Sequence, residues 1–230
     1  MQDELLMTGT GKNMENKVEE DYWERCWQDE NQEDLLRYLA GYKSYKDEVI
    51  NIFKQHKVRK ICDAACGFGA YSLAFASNGF EVSGFDISST AVEITQKGLK
   101  CHGLDSGNYK VASILSTGYS DETFDGVIAH AVIDHLTVAD AQTAVTELLR
   151  ITVANGLVVV SFDTPEPEDF SCSHKTIEPG TMLYDEGTHK GMIFHPYDWD
   201  EISALFGNYN IIYRNVNGKN EKVIIIKKSE

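Results

Sequence analysis

Between Lys57 and Phe162 short apolar runs alternate with longer stretches of helical spacing. Val58–Ala64, Glu81–Phe85 (closing on Asp86), Tyr109–Ser113, Phe124–His130 and Leu157–Phe162 have the length and apolar content of strands. Gly69–Asn78 predicts a helix ended by Gly79, and Thr90–Lys100 a second, with Thr90 and Glu93 at capping-box spacing. Thr137 opens a third, whose buried stripe is Ala141, Ala144, Val145, Leu148 and Leu149 and whose stop is Asn155-Gly156. Leu157–Phe162 is apolar on both faces, as a central strand of a parallel sheet must be.

Repeated strand–helix units of this kind imply an α/β fold: a doubly wound, mostly parallel sheet with helices on both faces. The end of the chain breaks the rhythm. Asn208–Val216 and Glu221–Lys228 both read as strands, and the turn Asn217-Gly218-Lys219-Asn220 between them is too short for a parallel crossover. The sheet is therefore expected to finish with an antiparallel strand. Ahead of the alternation, Leu35, Leu36, Leu39, Tyr42, Tyr45, Val49, Ile52 and Phe53 recur at helical spacing. One domain over residues 21–230 follows, with leading helices over about 21–56 and a polar, flexible segment at 1–20. Residues 164–196 are rich in proline, lack a clear period and are too long for an idle connection, so they read as a lid-like insert.

Composition narrows the partners. A formal charge of -15 and the absence of any basic cluster larger than a pair argue against DNA, RNA or an anionic membrane. No apolar run is long enough to span a bilayer and no secretion signal opens the chain, so a cytoplasmic location is expected. The five cysteines, Cys26, Cys62, Cys66, Cys101 and Cys172, fit reduced thiols. His174, His189, His195 and Cys172 match no compact ligand spacing, and no metal is expected. Monomer and homodimer both remain open.

The most informative stretch is Asp63-Ala64-Ala65-Cys66-Gly67-Phe68-Gly69, which places a tight small-residue turn between a buried strand and a helix. Its glycines let the backbone approach a ligand, and the helix N-terminus offers free N–H groups. Seventeen residues after Gly69, Asp86 ends the next strand, where a carboxylate can accept both hydroxyls of a ribose. The pair points to a nucleoside-type cofactor. A dinucleotide loop would carry a third glycine at Ser72, and Asp63 would repel a pyrophosphate; an acid there suits a cationic amino group instead.

These residues resemble motif I of the class I S-adenosylmethionine-dependent methyltransferases, D-x-G-C-G-x-G, with Ala65 in place of the first glycine. Phe85-Asp86-Ile87-Ser88 is similar to motif II, Phe124-Asp125-Gly126-Val127-Ile128 to the fourth strand of that family, and Leu148-Leu149-Arg150-Ile151 with Asn155-Gly156-Leu157-Val158-Val159 to its fifth-strand region. The resemblance implies a Rossmann-like fold and a cofactor site at Asp63, Ala65, Cys66, Gly67, Gly69, Asp86, Ile87, Ser113, Ile114 and Ala129. Ser113 stands where the family commonly has an aspartate for the adenine amino group, and its hydroxyl is a weaker acceptor.

The activity implied is methyl transfer from S-adenosylmethionine to a small molecule, an in-line displacement that needs positioning and dryness more than a fixed catalytic motif. His130 and His135 follow the fourth strand, in a segment similar to the family's H-V-L-E-H-L, and are the candidate bases. Tyr22 and Trp23 (with Trp27) from the N-terminal side, and Tyr184 and Phe194 from the insert, are the candidate substrate walls. The competing readings are an NAD-dependent oxidoreductase and a non-catalytic S-adenosylmethionine-binding protein.

Overall fold

The computed structural model describes residues 20–28 and 43–230. The segment before residue 20 and the helical spacing of Leu35, Leu36, Leu39 and Tyr42 lie outside the described residues. Residues 20–28 form helix α1. Then come α2 (Lys43–Gln55), β1 (Lys60–Ala64), α3 (Ala70–Ala76), β2 (Glu81–Asp86), α4 (Ser89–Cys101), β3 (Tyr109–Val111) and β4 (Phe124–His130). A single turn at Ile133–His135 leads to α5 (Val138–Ile151) and β5 (Thr152–Phe162). After these stand α6 (Pro167–Ser171), β6 (His174–Glu178), β7 (Thr181–Tyr184), β8 (Ile193–Phe194), α7 (Trp199–Phe206), β9 (Asn210–Val216) and β10 (Lys222–Lys227).

Seven strands pair in the order β3-β2-β1-β4-β5-β10-β9. The first five are parallel, and β10 runs antiparallel to both of its neighbours, β5 and β9. The expected Rossmann-like sheet is therefore present. The final hairpin folds back so that its second strand, not its first, joins β5.

Alternation along the strands divides the core in two. Val158, Val160 and Phe162 of β5, with Ile224 and Ile226 of β10, pack against α5 and α7. Leu157, Val159, Val223 and Ile225 face the other way, onto Val49, Ile50 and Phe53 of α2 and Phe75 of α3. Period-two side-chain geometry makes this split obligatory once the strands are central.

Three local expectations change. Ser88, not Thr90, caps α4: its Oγ accepts from Ala91 N, while Thr90 Oγ1 donates to Glu24. Asn155-Gly156 does not stop α5, which ends at Ile151. The pair sits inside β5, where Asn155 has φ 63 and the pairing to β4 slips between Phe124 and Gly126. An Asn-Gly pair relieves a left-handed residue in a bulge as well as in a helix stop. Residues 164–196 contain α6 and an antiparallel sheet, β6-β7-β8, rather than irregular chain. Strand β6 exposes three of its five residues, so it lacks the apolar alternation that would reveal it.

Candidate active site

The carboxyl ends of β1, β2, β4 and β5 open onto one cavity of about 500 Å³, within the usual range for a small-ligand site. The ends of parallel strands are where loops can converge on a ligand without breaking the sheet. Helix α1 forms the opposite wall through Glu20, Trp23 and Trp27.

At one end stands the glycine loop. Asp63 Oδ2 accepts from Ser72 N (2.9 Å) and Ser72 Oγ (2.6 Å). The residue at the missing third glycine thus fixes the Asp63 carboxylate, a role that only the helix geometry reveals. Burial pushes Asp63 up to about 7, against the hydrogen bonds from Ser72. Gly67 has φ 52, and a Cβ there would lie 2.9 Å from the Trp27 ring, so both backbone and space demand glycine. Gly69 (φ 81) is the N-cap of α3 and packs on Thr95, outside the cavity lining. Ala65, at φ 56, holds a left-handed conformation that costs an alanine energy.

Asp86 Oδ2 accepts from Gly67 N and its Oδ1 from Ser88 N, each at 2.9 Å. Both oxygens keep a lone pair for a ligand hydroxyl. Burial raises Asp86 to about 6, against these backbone bonds. Cys66, Ile87, Ser113 and Ile114 also line the cavity. Strand β3 stops at Val111, so Ser113 lies in a turn beyond it, where its Oγ accepts from Leu115 N (3.2 Å). Ala129 does not line the cavity: fully buried in β4, it packs in the core below. The adjoining Ala131 does, at φ 46, with its N–H held by Ser161 Oγ (3.1 Å).

The other end is formed by His130, Val132, His135 and Asp163. His130 Nε2 lies 3.6 Å from Glu221 Oε2 and its ring 4.8 Å from that of Tyr71. Burial lowers the His130 pKa, and Glu221 opposes the shift. His135 Nδ1 is 2.9 Å from the carbonyl of Ile193, and Nε2 is 4.0 Å from Asp163 Oδ2. Lys46 of α2 also lines the cavity. Its ammonium is 5.5 Å from the Tyr71 ring centre, and burial lowers it to about 8 although Asp63 pulls the other way. Sequence spacing could not single out Lys46, because a lone lysine on an amphipathic helix is ordinarily solvated.

Of the four candidate substrate walls, only Trp23 reaches the cavity, with its ring 4.9 Å from that of His135. Tyr22, Tyr184 and Phe194 do not line it. They form a separate apolar cluster with Met182 and Met192 that joins α1 to the small sheet. Tyr22 Oη donates to Met192 Sδ (3.2 Å), and Arg25 Nη2 to the carbonyl of Lys190 (2.8 Å). Large apolar rings on facing elements bury each other before they line a wet pocket. On its other side α1 is clasped by Glu24, which accepts from Ser88 Oγ (2.7 Å) and Thr90 Oγ1 (2.6 Å) beside Asp86.

Residues 62–160 match the model of a family described as a methyltransferase domain. A ubiquinone biosynthesis O-methyltransferase of Alkalilimnicola ehrlichii is 28% identical over 135 residues, 57% of this chain and 52% of that protein. The chain spans about half the length of the first curated relatives it matches. A Pyrococcus horikoshii crystal structure superposes with a TM-score of 0.67 at 21% identity, covering 81% of this chain and 92% of that one. The magnesium protoporphyrin IX methyltransferase of Synechocystis, solved with bound S-adenosylmethionine, gives 0.59 at 18% identity, covering 91% and 90%. Residues 62–160 thus match a methyltransferase domain, and the fold is that of solved S-adenosylmethionine-dependent methyltransferases.

Proposed function

We propose that this chain transfers a methyl group from S-adenosylmethionine to a small molecule within the cavity under α1. The observation that carries this reading is one continuous cavity. It joins Asp63, Gly67 and Asp86 at one end to His130, His135 and Asp163 at the other, with Trp23 and Trp27 closing it. Bound S-adenosylmethionine would supply an electrophilic methyl group on a positively charged sulfur.

The residues fit that cofactor. Asp86 would accept the ribose hydroxyls through the lone pairs left by its two backbone donors. Asp63, held by Ser72, would face the cationic amino group, and Lys46 the carboxylate of the methionine part. Ile87, Ile114 and Ser113 would surround the base, with the Ser113 hydroxyl as its polar contact. The acceptor would enter between Trp23 and the end of β4. Excluding water there strengthens each electrostatic contact and holds the nucleophile near the methyl carbon.

Calorimetric titration with S-adenosylmethionine, S-adenosylhomocysteine and NAD tests the reading. Binding of the first two and not the third is expected. Tight NAD binding with neither of the others would refute it, and cofactor binding without methyl release against a broad metabolite panel would favour a sensor.

A further inference from the structure

The acceptor end of the cavity offers hydrogen-bond acceptors without matching donors. The carbonyl of Ile193 can only accept, so Nδ1 of His135 carries a proton, and in the neutral imidazole Nε2 presents a lone pair. That lone pair faces Asp163 Oδ2 at 4.0 Å, too far for a hydrogen bond between them. Below them Asp134 is fully buried. Its Oδ2 accepts from Asp163 N at 2.7 Å, and its Oδ1 has no partner among the described residues. Asp134, His135 and Asp163 each bring a ligating atom within 4.8 Å of the others. Among the described residues that line the cavity, Lys46 is the only lysine or arginine, and it lies by Asp63 and Tyr71.

Two acceptors 4.0 Å apart call for one donor atom with at least two hydrogens. A nitrogen can sit about 2.8–2.9 Å from both. A hydroxyl has one hydrogen and satisfies only one of them; a carboxylate has none and would be repelled. The side chain of Asp163 is 42% exposed and lines the cavity. The charged groups that act on it are Asp134 and Glu221 and the imidazoles of His135 and His130, while Glu20 and Lys46 line the same cavity. Burial, then the Asp134 carboxylate, raise Asp163 to about 6, against the opposing pull of His135 and His130.

We propose that the methyl acceptor is an amine, held as its cation between Asp163 and His135 Nε2 beside Trp23, with His135 taking the proton that frees the nitrogen lone pair. This rests on reading the cavity as a methyltransferase site. The ammonium gives one proton to Nε2. The nitrogen lone pair then forms the new N–C bond as the bond from methyl carbon to sulfur breaks, and that electron pair stays on sulfur, leaving a neutral thioether. The product leaves as an N-methylammonium, and the imidazolium returns its proton to water.

The test uses the full chain saturated with S-adenosylhomocysteine and titrated with three probes of one skeleton: phenethylamine, 2-phenylethanol and phenylacetate. The amine is expected to bind at least tenfold more tightly than the other two. Asp163→Asn should cut its affinity at least tenfold while S-adenosylhomocysteine affinity stays within twofold. With labelled S-adenosylmethionine, the label should appear on nitrogen. Equal or tighter binding of the alcohol or the acid, no amine binding, or amine affinity unchanged in Asp163→Asn overturns the proposal. So does amine binding that disappears with EDTA, because the three side chains would then hold a metal ion. Failure of S-adenosylhomocysteine itself to bind is a different result and removes the methyltransferase reading beneath.

Discussion

Single residues around the glycine loop carry strain and charge whose consequences can be measured. Ala65 sits at φ 56, where the family motif has glycine. A left-handed alanine costs about 1–2 kcal/mol, partly offset by the greater freedom of glycine in the unfolded chain. Ala65→Gly should therefore stabilise the protein by about 1 kcal/mol, a rise of about 2–4 °C in melting temperature for a chain of this size. An unchanged or lower melting temperature would show that Ala65 is not strained. Asp63 and Asp86 are raised to about 7 and about 6. Acids raised on folding hold their protons longer than in the unfolded chain, so their contribution to stability falls as pH climbs from about 4 to 7. A cofactor with a cationic amino group and ribose donors prefers both acids ionised. Its affinity should rise with pH up to about 7 and then level, with proton release on binding below that. Calorimetry in two buffers of different ionisation enthalpy reads the released protons directly; none at pH 6 would separate both acids from the cofactor.

At the scale of elements, what could be read in advance depended on where each element finds its partner. Strands β1, β4 and β5 are legible because each carries a buried apolar run, Ile61-Cys62, Val127–Ala129 and Leu157–Val160, while β2 is marked mainly by its place between two helical stretches. The hairpin β9–β10 is legible from its turn, but not the reversal that seats β10 against β5. Helix α1 and the sheet β6-β7-β8 complete each other: Tyr22, Tyr184 and Phe194 pack together, and neither piece carries that pattern alone. That is why three of the four aromatic substrate candidates fall at this joint rather than in the cavity. The same joint holds α1 against the small sheet, and Glu24 pins it beside Asp86. Hydrogen bonds from Thr90, then Ser88, hold the Glu24 carboxyl down to about 2, although burial pulls upward. Its contribution is complete above the ordinary glutamate pKa and is lost as pH falls toward 2. Glu24→Ala should speed hydrogen exchange of the amides in residues 20–28 and raise the cofactor off-rate several-fold, with little effect on the sheet. Trp23 and Trp27 report on the same opening by fluorescence. Exchange in α1 as slow as in the unaltered chain would show that the apolar joint, not Glu24, holds the helix.

Across the whole molecule, the sheet is continued beyond β5 by strand β10, which covers what would otherwise be its edge. Val223, Ile224, Ile225 and Ile226 are all fully buried, and their alternate faces belong to the two halves of the core. Burying four such side chains contributes about 6–12 kcal/mol, of the same order as the entire stability of a typical domain. Strand β10 also supplies the hydrogen-bonding partner for β5 from Leu157 to Phe162. Without it β5 would become a long, apolar, unpaired edge, the form of strand most prone to associate with another chain. The cavity-lining residues Ala131 and Asp163 hang from β4 and β5, so the cavity depends on a strand that contributes none of its lining. A chain ending after residue 207 should therefore lose more than local order. It should show no cooperative urea transition, no near-ultraviolet dichroism from packed aromatics, and no S-adenosylhomocysteine binding, even though the glycine loop and Asp86 are all retained. If the shortened chain instead melts cooperatively and binds, then β1 to β5 form an independent folding unit and the closing strand is only a cover.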